Sequence, residues 1–346
     1  MASIYVHFPY CASRCIYCDF YSSIRRDWGR YAEALAEEAE RRKGFLKGVP
    51  PRTLYFGGGT PSLLPGRIVA DVVESLRRNF DLSAVEEFTV EANPDDVTPL
   101  KAEELRESGV TRISMGVQSM CDEHLKWMRR RHTAEDVRTA FGTLRAAGFH
   151  NISIDLIFGF AGLSDETWLA TVDAALALAP DHISCYQMMG RHADSDEDRC
   201  ERQYLALQKK LSAAGFEQYE ISNYCRPGFR SRHNSAYWRR DPYLGLGAAA
   251  HSFDGEKLRC WNVSDIDGYL SGSPMGSETL TDPEVEEEEI MLSLRTAEGA
   301  EEPVIKRKPA ANRLIAAGYL VCENSRVRIP KEKFLVSDWI IRELFE

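Results

Sequence analysis

The sequence predicts an α/β chain built as a partial (β/α)6 barrel followed by a small C-terminal winged-helix-like domain. Three observations lead there. Short β-rich runs alternate six times with longer amphipathic segments, the alternation ends near residue 219, and the composition shifts again near residue 277. A strand followed by a helix and then a neighbouring strand requires a crossover, which makes the strands parallel and the connection right-handed. With 346 residues and 44% hydrophobic content, the chain can bury one large core and carry a small appendage.

In order, the units are SIYVHF then YAEALAEEAERR, TLYF then RIVADVVESLRRN, EFTVEA then PLKAEELRES, RISMGV then AEDVRTAFGTLRAA, ISIDLIF then DETWLATVDAALAL, and HISCYQM then RCERQYLALQKKLSAA. Gly44, Gly109, Gly148 and Gly215 each follow a helical segment where a left-handed C-terminal residue is wanted. These units assign residues 1–218 to the barrel. Residues 219–276 are shorter, aromatic and Gly-rich pieces, YEISNYCRPGFRSRHNSAYW and YLGLGAAAHSF, expected to close the barrel mouth. Residues 277–346 open with the acidic run Glu284 to Glu289, expected as a solvated first helical turn that complements the helix dipole. NRLIAAGYL, VRIP and LVSDWIIRELFE then give a helix, a short hairpin and a helix, the order that suggests a winged helix.

A net charge of −10 gives no electrostatic basis for a sequence-independent grip on nucleic acid or on an acidic membrane. MASIYVHFPYCASRC has no apolar core of signal-peptide length, and no apolar run is long enough to span a bilayer, so the expected location is the cytoplasm. Nine cysteines, of which three are closely clustered, fit reduced thiols serving a metal better than a disulfide framework.

Cys11, Cys15 and Cys18 form a CxxxCxxC directly after the first strand, at the end of a parallel barrel where such folds place their chemistry. Three soft thiolates on one loop can hold three corners of a [4Fe–4S] cubane. The fourth iron would keep an open position that the amino and carboxylate groups of S-adenosylmethionine (SAM) can chelate. The alternative is structural zinc, which needs a fourth ligand, and His7 would have to supply it. Asp155, inside the otherwise apolar ISIDLIF, is costly as a buried carboxylate unless paired or ligand-bound.

These residues occur together with YVHFPYCASRCIYCDFYS, YFGGGTPSLL, EANPDD, GVQSM, RRRH, SIDLIFGF, YEISNY, HNSAYW and YLGLGAAAHSF, in that order over nearly the whole chain. In this the sequence resembles the radical SAM heme chaperone HemW family, which is related to oxygen-independent coproporphyrinogen III oxidase. The resemblance implies that Gly57, Gly58 and Gly59 with Thr60 form a turn meeting the SAM amino group, a glycine-rich turn being one that lets backbone approach a ligand closely. It also implies SAM contacts for Tyr5, Glu91, Gln118, Arg130 and Asp155, and packing of Tyr17 near the cluster or the adenine. Without it, Arg129 to Arg131 would read as a basic helix surface, and Glu91, at the end of the third strand, and Gln118, just past the fourth, as solvent-exposed positions.

Relatives that oxidatively decarboxylate coproporphyrinogen carry a further cysteine where this chain has Phe20, so the resemblance disfavours that activity and assigns no catalytic residue. His233, Asn234, Tyr237 and Trp238 match the HNxxYW segment that the family associates with heme, a neutral imidazole being a common axial ligand; His251 in AAAHSF is a second candidate. The implied partners are a heme-accepting protein and a reductant for the cluster, with no nucleic acid and no integral membrane segment. The alternative is a radical SAM enzyme, an oxidase or methylase of the same branch, that generates a 5′-deoxyadenosyl radical. Three segments depart from the family pattern: Gly159 to Ser164, the short stretch MMGRHADSDEDRCERQ, and the trimmed region Val327 to Lys333.

Overall fold

The computed structural model describes residues 1–345 and contains the six expected units in order. β1 (Ala2–Phe8) leads to α1 (Trp28–Arg41), β2 (Pro51–Gly58) to α2 (Gly66–Asn79), and β3 (Glu87–Ala92) to α3 (Pro99–Glu107). β4 (Arg112–Gln118) is followed by two helices, α4 (Asp122–Trp127) and α5 (Ala134–Ala146). β5 (Ile152–Phe158) leads to α6 (Asp165–Ala177), and β6 (His182–Gln187) to α7 (Glu197–Ala213). β1 to β6 pair in sequence order, all parallel, and β6 does not pair back onto β1, so the barrel is open.

The sheet continues at both edges. β7 (Glu217–Gln218) and β8 (Asn223–Cys225) extend it antiparallel beyond β6. After α8 (Arg232–Trp238), β9 (Tyr243–Leu246) runs parallel to β1 on its other side. β10 (His251–Phe253), β11 (Leu258–Trp261) and, after α9 (Ile266–Leu270), β12 (Gly276–Thr279) follow antiparallel, giving twelve strands in one sheet.

The core lies between the sheet and its helices. Ile4, Val6, Ile113, Met115, Ile152 and Ile154 are fully buried on the helix-facing side, against residues such as Val69, Val72, Val73 and Leu76, which the helical repeat of α2 puts on one stripe. Alternate positions of the six barrel strands, Tyr5, Tyr55, Glu91, Ser114, Asp155 and Ser184, face an open lumen. Several caps are as polar as helix starts require: the Thr98, Ser164 and Asp196 side chains each accept a backbone N–H of the first turn, and Thr133 with Asp136 forms a reciprocal capping box on α5.

Gly109, Gly148 and Gly215 adopt the expected left-handed conformation, with φ of +89°, +86° and +82°. Gly44 does not. α1 ends at Arg41, successive turns closed by Phe45 N–H to the Arg42 carbonyl and Lys47 N–H to the Gly44 carbonyl carry the chain on, and the left-handed residues are Lys47 and Gly48. The six-residue α4 is too short to show a periodic stripe in the sequence.

The C-terminal region comprises α10 (Asp282–Leu294), β13 (Ala300–Glu301), α11 (Glu302–Lys306), α12 (Ala311–Ala316), β14 (Val321–Glu323), β15 (Arg326–Arg328) and α13 (Ser337–Phe345), with a small antiparallel sheet in the order β13, β15, β14. The acidic run is not simply a solvated turn. Glu284 completes a capping box with Thr281, but Glu288 meets Arg240 at 2.8 Å and also Arg259, while Glu286 meets Lys308 at 2.8 Å. These pairs lock α10 onto the segments around it. Among the described residues, no helix is long and apolar enough to cross a membrane.

Candidate functional site

The loop after β1 carries the three cysteines and is pinned by its own backbone. Cys11 N–H donates to the Ser23 carbonyl at 2.8 Å, Ser23 N–H to the Pro9 carbonyl at 2.6 Å, and the Arg14 guanidinium to the Ser22 carbonyl at 2.7 Å. Thr60 Oγ1 donates to Cys11 Sγ and Arg130 Nη1 to Cys15 Sγ, each at 3.6 Å. Burial raises the Cys11 and Cys18 thiols above their ordinary range, with the Thr60 bond opposing this at Cys11. A bound cation would offset that cost, since metal binding selects the thiolate. The donor set is all-sulfur, as iron–sulfur binding prefers. His7 cannot complete a zinc site as placed, because its Nε2 is engaged by the Tyr21 carbonyl at 3.1 Å and its Nδ1 by Tyr5 Oη at 3.2 Å.

The glycine turn lies directly beneath this loop. β1 and β2 are in register, His7 beside Gly57 and Phe8 beside Gly58. Gly58 has φ of +103°, and a Cβ there would strike the His7 ring; a Cβ on Gly59 would lie 2.6 Å from both the backbone N and O of Tyr10. Only glycine lets the two segments close, and the closure is fastened by Gly59 N–H to the Phe8 carbonyl at 2.8 Å and Thr60 N–H to the Tyr10 carbonyl at 2.7 Å.

Polar side chains converge from the next strands. Glu91 accepts from Tyr55 Oη at 2.8 Å and from Gly58 N–H at 3.0 Å. Burial pushes its carboxyl up to about 7, with the Tyr55 and Gly58 bonds opposing. Asp155 is raised by burial as well, held back by Ser184, Arg112 and by Ser114, whose hydroxyl lies 3.4 Å from each carboxylate oxygen. Gln118 is the last residue of β4, left-handed with φ of +67° at a slip in the β4–β5 register, rather than lying past the strand.

Arg130 is not on a basic helix surface. It follows α4 and turns inward, donating to the Gly116 carbonyl at 2.6 Å, to Asn93 Oδ1, to Tyr17 Oη at 3.4 Å and to Cys15. Its neighbour Arg131 pairs outward with Asp95 and Asp96. Apart from Gly57, the cluster-side and SAM-side residues expected from the sequence thus line a single cavity of about 610 Å³. Asn93, Arg112 and Ser114 also line it and escaped the sequence reading. An arginine opening the apolar run RISMGV was the available signal for Arg112, which is 1% exposed with its Nε unpartnered.

The HNSAYW residues do not share one wall. His233 is buried near the start of β2, its Nδ1 within 2.8 Å of Thr53 Oγ1 and its Nε2 within 2.9 Å of Tyr237 Oη; burial, and secondarily Arg112, lowers it to about 3 and keeps it neutral. Glu87 fixes it there, accepting the Arg232 and His233 backbone N–H groups at 3.0 Å. Asn234 lines the first cavity and Trp238 Nε1 is buried without a partner. Tyr237 instead lines a second cavity of about 910 Å³, which also contains His251 and shares Tyr5, Arg14, Cys18, Asp19 and Phe20 with the first. Phe20 is 70% exposed on the rim between them.

The model of the radical SAM superfamily matches residues 5–175. A heme chaperone HemW of Mycobacterium tuberculosis is 33% identical, the match covering 99% of this chain and 94% of the relative. A heme chaperone HemW of Bacillus subtilis is 35% identical over 86% of this chain and 84% of the relative. Among solved structures, coproporphyrinogen III oxidase (HemN) from Escherichia coli, a radical SAM enzyme, superposes with a TM-score of 0.84 over 99% of this chain and 89% of that one at 21% identity, which speaks to the fold alone.

Proposed function

Because the chain belongs to the HemW family of radical SAM proteins, we propose that it is a cytoplasmic heme carrier that binds heme and passes it to an acceptor protein. In this reading Cys11, Cys15 and Cys18 hold a [4Fe–4S] cluster, and Tyr5, Tyr17, Gly58, Gly59, Thr60, Glu91, Gln118, Arg130 and Asp155 hold SAM against its open iron. When bound, the pair supplies a one-electron donor beside a reducible sulfonium. The observation that carries the reading is the gathering of those residues, from the cysteine loop, β1–β5 and the turn after α4, around one cavity.

The protein's own groups have separable tasks. Arg130 ties the cysteine loop to β4 and to Asn93, which fastens the loop to the lumen wall. Glu91 ties the glycine turn to β3 through Gly58. Phe20, where decarboxylating relatives carry a further cysteine, adds no thiol and presents an apolar ring to the second cavity. The same reading takes residues 1–218 as the barrel, 219–276 as the segment closing it and 277–346 as a winged-helix-like domain.

One preparation tests this. Anaerobically reconstituted protein should take up hemin at about one per chain and release 5′-deoxyadenosine from SAM only slowly after dithionite reduction. Failure to bind hemin, with 5′-deoxyadenosine formation that accelerates on adding a substrate, would overturn the carrier reading in favour of a radical enzyme.

A further inference from the structure

We infer that heme is held in the larger cavity, with His251 as its axial ligand and Arg14 facing a propionate; this rests on the carrier reading above. The cavity of about 910 Å³ is within the usual size range for small-molecule sites, roughly 300–1,000 Å³. Its apolar wall is formed by Phe20 on the cysteine side, Tyr243 and Phe253 on the sheet and Leu292 on α10, while Asp19, Glu288 and three arginines supply a charged rim. A flat apolar macrocycle bearing two carboxylates suits such a site if an iron ligand and a cation are present.

The cavity is lined by two imidazoles, His7 and His251. Both ring nitrogens of His7 are hydrogen-bonded, whereas the His251 ring is exposed and no hydrogen bond engages it among the described residues. Its plane is set from behind by Trp261, stacked at 5.9 Å between centroids and 24° between planes. Gly276 makes that stacking possible, since a Cβ there would collide with the Trp261 ring. Arg240 and Arg259 also reach the cavity, but Glu288 engages both, and Glu289 and Glu278 take one each. Arg14 has no carboxylate partner among the described residues and donates only to the Ser22 carbonyl. His233 acts on this site only through Tyr237, whose hydroxyl it holds.

The test is hemin titration of the anaerobically reconstituted full chain, followed by absorbance and electron paramagnetic resonance. Outer-shell partners of a metal ligand are worth about 10- to 100-fold in affinity, so loss of the ligand itself in His251→Ala should weaken hemin binding by at least about tenfold. Added imidazole should restore the wild-type spectrum in that variant. His233→Ala should keep the histidine-ligated signature even if affinity falls. If His251→Ala and the milder His251→Gln both keep the wild-type spectrum and affinity, or if His233→Ala alone loses the imidazole signature, the assignment is wrong while the carrier reading stands. If the wild-type chain takes up no hemin, both fall.

Discussion

Replacing Gly59 by alanine isolates the step that joins the glycine turn to the cysteine loop. The added Cβ would meet Tyr10 N and O at 2.6 Å and the Phe8 carbonyl at 2.7 Å. These are backbone atoms with no side-chain torsion to relieve the contact, so the turn and the loop must part. Parting them stretches Gly59 N–H to the Phe8 carbonyl and Thr60 N–H to the Tyr10 carbonyl, and with them the Thr60 contact to Cys11. Two buried backbone bonds at about 1–1.5 kcal/mol each put the cost near 2–3 kcal/mol, consistent with overpacking at about 1–3 kcal/mol. At about 1.4 kcal/mol per decade, the competent loop loses roughly 30- to 150-fold in population. Iron and sulfide per chain after anaerobic reconstitution should drop, and the urea midpoint should fall with unchanged slope. Gly142→Ala is the control: it lies within α5 with open space around its Cβ position, where alanine is favoured by about 1 kcal/mol. Wild-type iron content and midpoint in Gly59→Ala would refute the steric argument.

Arg130→Lys retains the charge but cannot span Gly116, Asn93, Tyr17 and Cys15 with one ammonium; each charge-assisted bond lost is worth about 1.5–3 kcal/mol, so SAM affinity measured by calorimetry should fall about tenfold or more, and an unchanged value would remove Arg130 from the site. Glu220 is 2% exposed, and burial pushes its carboxyl from 4.5 up to about 7. Between those values the folded chain binds more protons than the unfolded one, so stability falls as pH rises through that window, by at most about 3 kcal/mol from this group. Glu91 contributes in the same direction. Glu220→Gln should flatten the dependence, read from urea midpoints at pH 5 and pH 8, and an equally steep profile would exclude it as a source.

The barrel was legible because each strand and helix announces itself locally: EFTVEA and ISIDLIF match β3 and β5 residue for residue. Gly109, Gly148 and Gly215 mark real helix ends, while Gly44 misled because the chain continues through turns after α1 and reverses at Lys47 and Gly48. The edge strands β9 to β12 leave no strand signal in the sequence, since three- to four-residue pieces acquire their partners only in the folded chain. At the site, residues brought together by strand order were legible once the cysteine loop was placed. What the sequence could not reveal was occupancy: whether the His233 imidazole is free or already bonded depends on Thr53, 180 residues earlier in the chain.

The site and the sheet register specify each other. Tyr5 stands beside Tyr55, Glu91 beside Ser114 and Asp155 beside Ser184, each pair on neighbouring parallel strands and each turned to the lumen. The residues between them, Val6, Phe56, Val90, Met115 and Leu156, are buried against the helices. Side chains alternate with a period of two, so a one-residue slip would exchange the two sets. It would put Glu91 and Asp155 into the apolar layer, where an unpaired carboxylate is strongly disfavoured, and expose the aliphatic residues to the lumen. The polar lining therefore costs the barrel the aliphatic filling that closed barrels use, yet it removes the competing registers. The Glu91 link to Gly58 and the Ser114 link to Asp155 then hold the strand ends in the single alignment that faces the cysteine loop.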